Sequence, residues 1–216
     1  MGSKMRWINM DDYSRMTVKE FLTALSSSSP TPGGGSAAAI SLANSAALTC
    51  MVCDLTLSKE KWKDGWDVAE KIQNISAPIF LDSLELANKD AAAFDRVMDA
   101  WKLPKETEEE IKQRKNEISE ATINAANVPM ETANKASNLL VLLPELAENG
   151  NSNAITDVAV AALLAHSAAI GAIYNVRINL LGMDDDDDLK NKTIEISKIV
   201  EENLSKTLEI VEKKMS

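Results

Sequence analysis

The sequence predicts an all-α fold, a multihelical bundle of about six helices formed by one domain over residues 1–216. Three observations carry this. Aromatic residues make up only 4% of the chain while 45% is hydrophobic, so Ala, Leu, Ile and Val must supply the core, a composition suited to closely packed helices. Apolar residues recur every three or four positions along most of the chain, with no convincing alternating stretch. Helix start and stop signals also punctuate the periodic segments.

The first helix opens after Thr17, whose Thr-Val-Lys-Glu is a capping box, and runs through Phe21, Leu22 and Leu25 to about Ser27. The second runs from Ser36 to about Lys59. After a polar break at Lys61 to Gly65, a third spans Asp67 to about Trp101, ended by Pro104, which disfavours helix at Leu103. Thr107 opens a fourth with three glutamates in its first turn, expected to bend at Pro129 and end near Gly150. A fifth extends from Asn153 to Leu181. The acidic run Asp184 to Asp188 complements the dipole of a last amphipathic helix from Leu189 to Lys214 and is not read as a metal site.

A formal charge of -10 argues against a nucleic acid partner and against an anionic membrane surface, since both demand a basic face. The lack of an uninterrupted 18-residue apolar run, of a signal peptide and of a lipidation motif leads us to expect a soluble cytoplasmic protein. Cys50 and Cys53 sit inside a helical pattern without a βαβ context or a second pair of metal ligands, and read as small core thiols. His166, the only histidine, has no carboxylate at helical spacing and reads as structural.

Two features break the core pattern in ways that suggest chemistry. In the run Pro30-Thr-Pro-Gly-Gly-Gly-Ser36, two prolines stiffen the approach, while Gly33, Gly34 and Gly35 permit positive φ or close approach and Ser36 offers an N-cap. The unpaired N–H groups at such a helix start suit an anionic or carbonyl-bearing ligand; a tight interhelical turn is the plainer reading. The Gly-x-x-x-x-Gly-Lys-Ser/Thr nucleotide motif is absent. On the third helix the stripe Ile72, Ile75, Ile79, Ser83, Leu86, Asp90, Ala93, Val97 places Asp90 on the face that should be buried. Desolvation there would raise its pKa, as a proton-transfer group working near neutrality requires. Asp95 lies well round the helix and reads as a solvated or interhelical partner. Asn153 and Asp157 open the fifth helix, and Asn175 and Asn179 sit one turn apart near its end, placed either for ligand binding or for interhelical hydrogen bonds.

These residues resemble a known family. Phe21-Leu22, Pro30-Thr-Pro-Gly-Gly-Gly-Ser-Ala-Ala-Ala39, Lys89-Asp-Ala-Ala-Ala-Phe-Asp95, Lys102-Leu-Pro-Lys105, Gly150-Asn-Ser-Asn-Ala-Ile-Thr-Asp157 and Asn175-Val-Arg-Ile-Asn-Leu180 are similar, in order and spacing, to formiminotetrahydrofolate cyclodeaminases and methenyltetrahydrofolate cyclohydrolases, over roughly residues 16 to 212. The resemblance implies an all-helical folate enzyme, usually a homodimer, with no metal or redox cofactor and a tetrahydrofolate derivative, possibly polyglutamylated, as substrate. It aligns the family's catalytic aspartate with Asp90. The implied reaction closes N5-formiminotetrahydrofolate to the 5,10-methenyl compound with loss of ammonia; hydrolysis of the methenyl bridge is the alternative. The implied substrate-binding positions are the Gly33 to Ser36 loop, Asn153, Asp157, Asn175 and Asn179; charge and position make Lys102, Lys105 and Arg177 the candidates for the substrate's glutamate carboxylates. A purely helical interaction module, or a non-catalytic folate or anion-binding protein, would fit the loop equally well without turnover.

Overall fold

A computed structural model describes residues 12–181 and 187–216, and among them every regular element is helical. The α-helices are α1 (Val18–Leu25), α2 (Gly34–Leu57), α3 (Trp66–Trp101), α4 (Glu108–Leu140), α5 (Leu143–Asn149), α6 (Ile155–Asn179) and α7 (Asp187–Met215). Short 3₁₀ turns at Tyr13–Arg15, Glu60–Gly65 and Ser152–Ala154 join them. Asp184, Asp185 and Asp186 of the acidic run lie outside the described residues, while Asp188 in the first turn of α7 pairs with Lys192 at 2.6 Å.

The predicted capping box at Thr17 is present, and a second, which was not anticipated, stands at Thr107. Thr17 accepts from the Glu20 N–H while Glu20 accepts from the Thr17 N–H, and Thr107 and Glu110 do the same at the start of α4. The expected fourth helix proves to be two. Pro144 has no N–H for the Leu140 carbonyl, so α4 ends at Leu140 and a separate α5 starts with this proline in its first turn. Pro129, where a bend was expected, stands buried inside α4 without ending it. Its missing N–H leaves the Ala125 carbonyl open, and the Asn179 side-chain Nδ2 of α6 donates to that oxygen at 2.8 Å.

Four helices form a ring, α2 against α3, α3 against α4, α4 against α6 and α6 back against α2, with α7 laid outside α6 and α4. The pair α2 and α6 runs antiparallel at its centre. Small residues make this approach close: Ser41 Oγ donates to the Leu164 carbonyl at 2.9 Å, Ser45 Oγ to the Ala161 carbonyl at 2.7 Å, and Gly171 faces Ala38. Ala161, Ala162, Ala165, Ala168, Ala169 and Ala172 of α6 are wholly buried. Both helices are apolar on nearly every side, as inner helices are, and by length and composition alone each is long enough to cross a membrane.

Cys53 is buried and Cys50 half-buried beside this core; burial pushes the Cys53 thiol up to about 12, so it is inert at neutral pH. His166 Nε2 lies 2.9 Å from the Glu201 carboxylate of α7, a partner that spacing within α6 cannot reveal. On α3 the apolar stripe departs from expectation at one position. Ile75 is exposed and the neighbouring Ser76 is buried, its hydroxyl returned to the Ile72 carbonyl.

The end of the bundle away from Asp90 is tied by Asn151, a residue that sequence reasoning passed over. Its N–H donates to Thr56 Oγ1 at 2.9 Å, its Nδ2 to the Leu55 carbonyl at 3.0 Å, and its Oδ1 accepts from the Asn153 N–H at 2.9 Å. The Trp66 indole N–H adds a bond to the Thr56 carbonyl. One buried amide thus joins the C-terminus of α2 to the entry of α6. Asn151→Ala is expected to destabilise the fold by roughly 2 kcal/mol in denaturant unfolding, because buried backbone groups lose their partners. An unfolding midpoint equal to the wild type would show that water replaces the amide at no cost.

Candidate active site

The Pro-Gly loop delivers the chain to α2 with bare backbone. Gly33 is the N-cap, at φ -125 and ψ -157, and no side chain caps the helix. None of the three glycines adopts positive φ, so their purpose is access rather than a left-handed turn. Ser36 is not the cap that sequence suggested. It is the third helical residue, fully buried, and points across to α3, where Oγ lies 3.1 Å from the Ala87 carbonyl and 3.0 Å from Asp90 Oδ2.

Asp90 therefore meets the N-terminus of α2 almost in contact. A Cβ on Gly35 would fall inside the van der Waals envelope of both carboxylate oxygens, so glycine is required there for close approach. Two influences act on the acid. Burial raises its pKa above the ordinary carboxylate value; the Ser36 hydroxyl and backbone N–H, donating to the carboxylate, pull it partly back. The outcome is a raised pKa in a group still served by donors, the balance that a carboxyl needs to take up a proton and release it again.

Asp90 opens onto a cleft of about 270 Å³. One wall is the backbone of Gly33, Gly34 and Gly35 with Pro30 and Thr31; the others are Phe94 of α3, Ala125 of α4 and Asn175, Ile178 and Asn179 of α6. Both amides lend their nitrogen to backbone: Asn175 Nδ2 donates to the Gly171 carbonyl at 2.9 Å, and Asn179 Nδ2 to Ala125. Their oxygens remain as acceptors with no bond among the described residues. The cleft is large enough for a bicyclic heterocycle and offers a donor-rich edge two amide oxygens, with a proton-transfer carboxyl alongside. A larger hollow of about 710 Å³ runs along α1, but Asp90 does not line it; of its ionisable groups Arg15, Lys19 and Glu20 are exposed and Asp12 is half-buried.

Of the candidates read from sequence, the structure brings together Gly33, Gly34, Gly35, Ser36, Asp90, Asn175 and Asn179. It does not bring in the others. Lys102 is exposed beyond the end of α3 and paired with Asp99 at 2.8 Å; Lys105 is exposed in the turn to α4. Arg177 is exposed in a separate hollow with Leu180 and Thr193. Asn153 and Asp157 stand at the opposite end of α6, Asp157 roughly 27 Å from Asn175 along the helix axis. Asp95 is exposed, with a charge interaction with Lys102. Sequence reasoning missed Phe94, Ala125 and Ile178. Only Ala125 had a signal, being the residue whose carbonyl Pro129 leaves open. Among the described residues, no three His, Cys, Asp or Glu side chains are grouped to hold a metal ion.

The family described as Formiminotransferase-cyclodeaminase matches residues 17–198. The chain is 40% identical over 169 residues to a methenyltetrahydrofolate cyclohydrolase of Methylorubrum extorquens, covering 78% of this chain and 81% of that one. It is 34% identical over 189 residues to the formimidoyltransferase-cyclodeaminase of Rattus norvegicus, covering 86% of this chain but only 34% of that longer protein. The fold matches the crystal structure of formiminotetrahydrofolate cyclodeaminase from Thermotoga maritima with a TM-score of 0.77 and 31% identity, over 93% of this chain and 96% of that one.

The raised pKa of Asp90 has a consequence for stability. Over the interval between the two pKa values the folded state holds a proton that the unfolded chain has already released, so Asp90 weakens the fold as pH rises from the ordinary carboxylate range, about 4, through its own raised value. Asp90→Asn is therefore expected to melt at a higher temperature than the wild type at pH 7, with the difference shrinking towards pH 4. A difference independent of pH would mean that the cost is steric.

Proposed function

The chain belongs to the formiminotransferase-cyclodeaminase family of folate one-carbon enzymes, and on that premise we propose that it closes N5-formiminotetrahydrofolate to 5,10-methenyltetrahydrofolate with release of ammonia, Asp90 moving the protons. The observation that carries this is the half-buried carboxyl held over the glycine start of α2 at the mouth of the cleft. The pterin lies in the cleft, its amino and amide N–H edge towards the oxygens of Asn175 and Asn179. N10 attacks the protonated formimino carbon, the C=N π pair moves to its nitrogen, and the third C–N bond gives a tetrahedral carbon that bears N5, N10 and the amino group. Asp90 takes the N10 proton and returns it to the amino group, the C–N bond to that group breaks, and ammonia leaves as the methenyl C=N forms. The attack is intramolecular, so positioning supplies much of the rate. One carboxyl of raised pKa serves both proton steps.

Hydrolysis of the methenyl bridge to the 10-formyl compound is the second reading, favoured by the 40% identity to the Methylorubrum extorquens cyclohydrolase. There Asp90 activates a water in the same cleft. Offering each folate separately and following the methenyl absorbance decides between them: net methenyl formation with ammonia supports the first, faster methenyl decay the second. In either reaction Asp90→Asn is expected to lower turnover about 10²-fold or more while folate still binds. Near-normal turnover by this variant would remove Asp90 from the chemistry.

The working form on this proposal is a cytoplasmic homodimer acting on folate, polyglutamylated or not. Support comes from α6, where Val160, Leu163, Tyr174 and Ile178 form an exposed apolar stripe, 46–65% accessible, along the length of the helix. Light scattering at micromolar concentration should give twice the 23.5 kDa chain mass. A single species at the chain mass would leave the stripe without this partner.

A further inference from the structure

A second exposed apolar row leads out of the cleft along α3. Helix α2 begins opposite Asp90, and beyond that point α3 continues to Trp101. Phe94, Met98 and Trp101 follow one another at spacings of four and three, on the same side as Asp90, and are 39%, 42% and 54% exposed. Phe94 lines the cleft itself, so the row is continuous with it. At its far end stands a cation. The Arg114 guanidinium lies over the Trp101 ring at 4.9 Å, and its Nε and Nη2 donate to the Trp101 carbonyl at 3.3 and 3.1 Å, which fixes the group in place. Nη1 has no bond among the described residues. Asp99 pairs with Lys102, and Glu110 closes the capping box of α4.

We propose that the Phe94–Met98–Trp101 row and Arg114 bind the aryl-glutamate tail of the substrate, the benzoyl ring lying on Phe94 and Met98 and a glutamate carboxylate meeting Arg114. This rests on the folate reading above. From Asp90 to Trp101 the helix advances about 16 Å, a span covered by a benzoyl ring, an amide and an extended glutamate side chain together with the reach of the arginine. A row of this kind has no use for a free pterin, which the cleft alone accommodates. Charge and shape agree on the tail: the apolar row suits the ring, and the guanidinium is preorganised for a carboxylate.

The test compares two substrates, the folate that the wild type turns over and the matching pteroate, which keeps N10 and the benzoyl ring but lacks the glutamate. Arg114→Gln should raise KM for the folate about tenfold, leave kcat within twofold, and leave KM for the pteroate unchanged. Arg114→Lys should recover part of the loss. Met98→Ala should raise KM for both substrates, since both carry the ring. Circular dichroism and thermal melting confirm that these surface variants fold. If Arg114→Gln leaves KM for the folate unchanged, or raises it equally for both substrates, the tail does not run here, although the reaction stands. If the wild type turns over neither folate substrate, the reaction itself fails and takes this assignment with it.

Discussion

The contact between the Asp90 carboxylate and the N-terminus of α2 is the constraint on which the rest of the site depends. A carboxyl pressed against a helix start needs three things at once: no side chain at Gly35, a donor at Ser36, and helices close enough to exclude water. The first makes the loop glycine-rich, the second buries a serine inside the helix, and the third is met by Ala39, Leu86, Ala87 and Ala91, packed behind the pair. Burial and donation oppose each other on the same group, and that opposition brings the acid towards the range where protons are exchanged.

The loop and the acid were legible in the sequence because each breaks a pattern. A carboxylate in an apolar stripe, and three glycines leading into an alanine-rich helix, have few cheap explanations. Helical periodicity, the Thr17 capping box and the glutamates after Thr107 likewise marked the elements, since those signals are local. What was not legible depends on partners distant in sequence. Pro129 and Pro144 look alike, yet one is absorbed within a helix where Asn179, 54 residues beyond Ala125, takes the open carbonyl, and the other, with no such side-chain partner among the described residues, marks the end of α4. Asn151 and Asn153 share a motif. Only the first turns inward to Thr56 and Leu55. The charged candidates Lys102, Arg177 and Asp157 were misplaced relative to the cleft for the same reason, because spacing assigns a side of a helix and says nothing of which helix lies beyond it.

The antiparallel α2–α6 pair explains how so small a site is held steady. Serine hydroxyls returned to the facing helix at Ser41 and Ser45, and alanines along α6, fix the spacing of the two backbones through short, stiff contacts. Gly34 and Asn175 face each other at the end of that pair. Their separation is thus set by contacts several turns away, and the cleft inherits the rigidity of the core without needing bulky side chains of its own.

Pro129 gives this arrangement an unusual dependence. The Ala125 carbonyl that anchors Asn179 is open only because the residue four positions on carries no N–H. Any other amino acid at that position would introduce a donor within the helix itself, and two donors would compete for one oxygen. Restoring the regular hydrogen-bond ladder would improve α4 as a helix while releasing the amide that shapes the cleft wall, so here a local defect in secondary structure keeps the binding surface in register, and repairing it trades one kind of order for another.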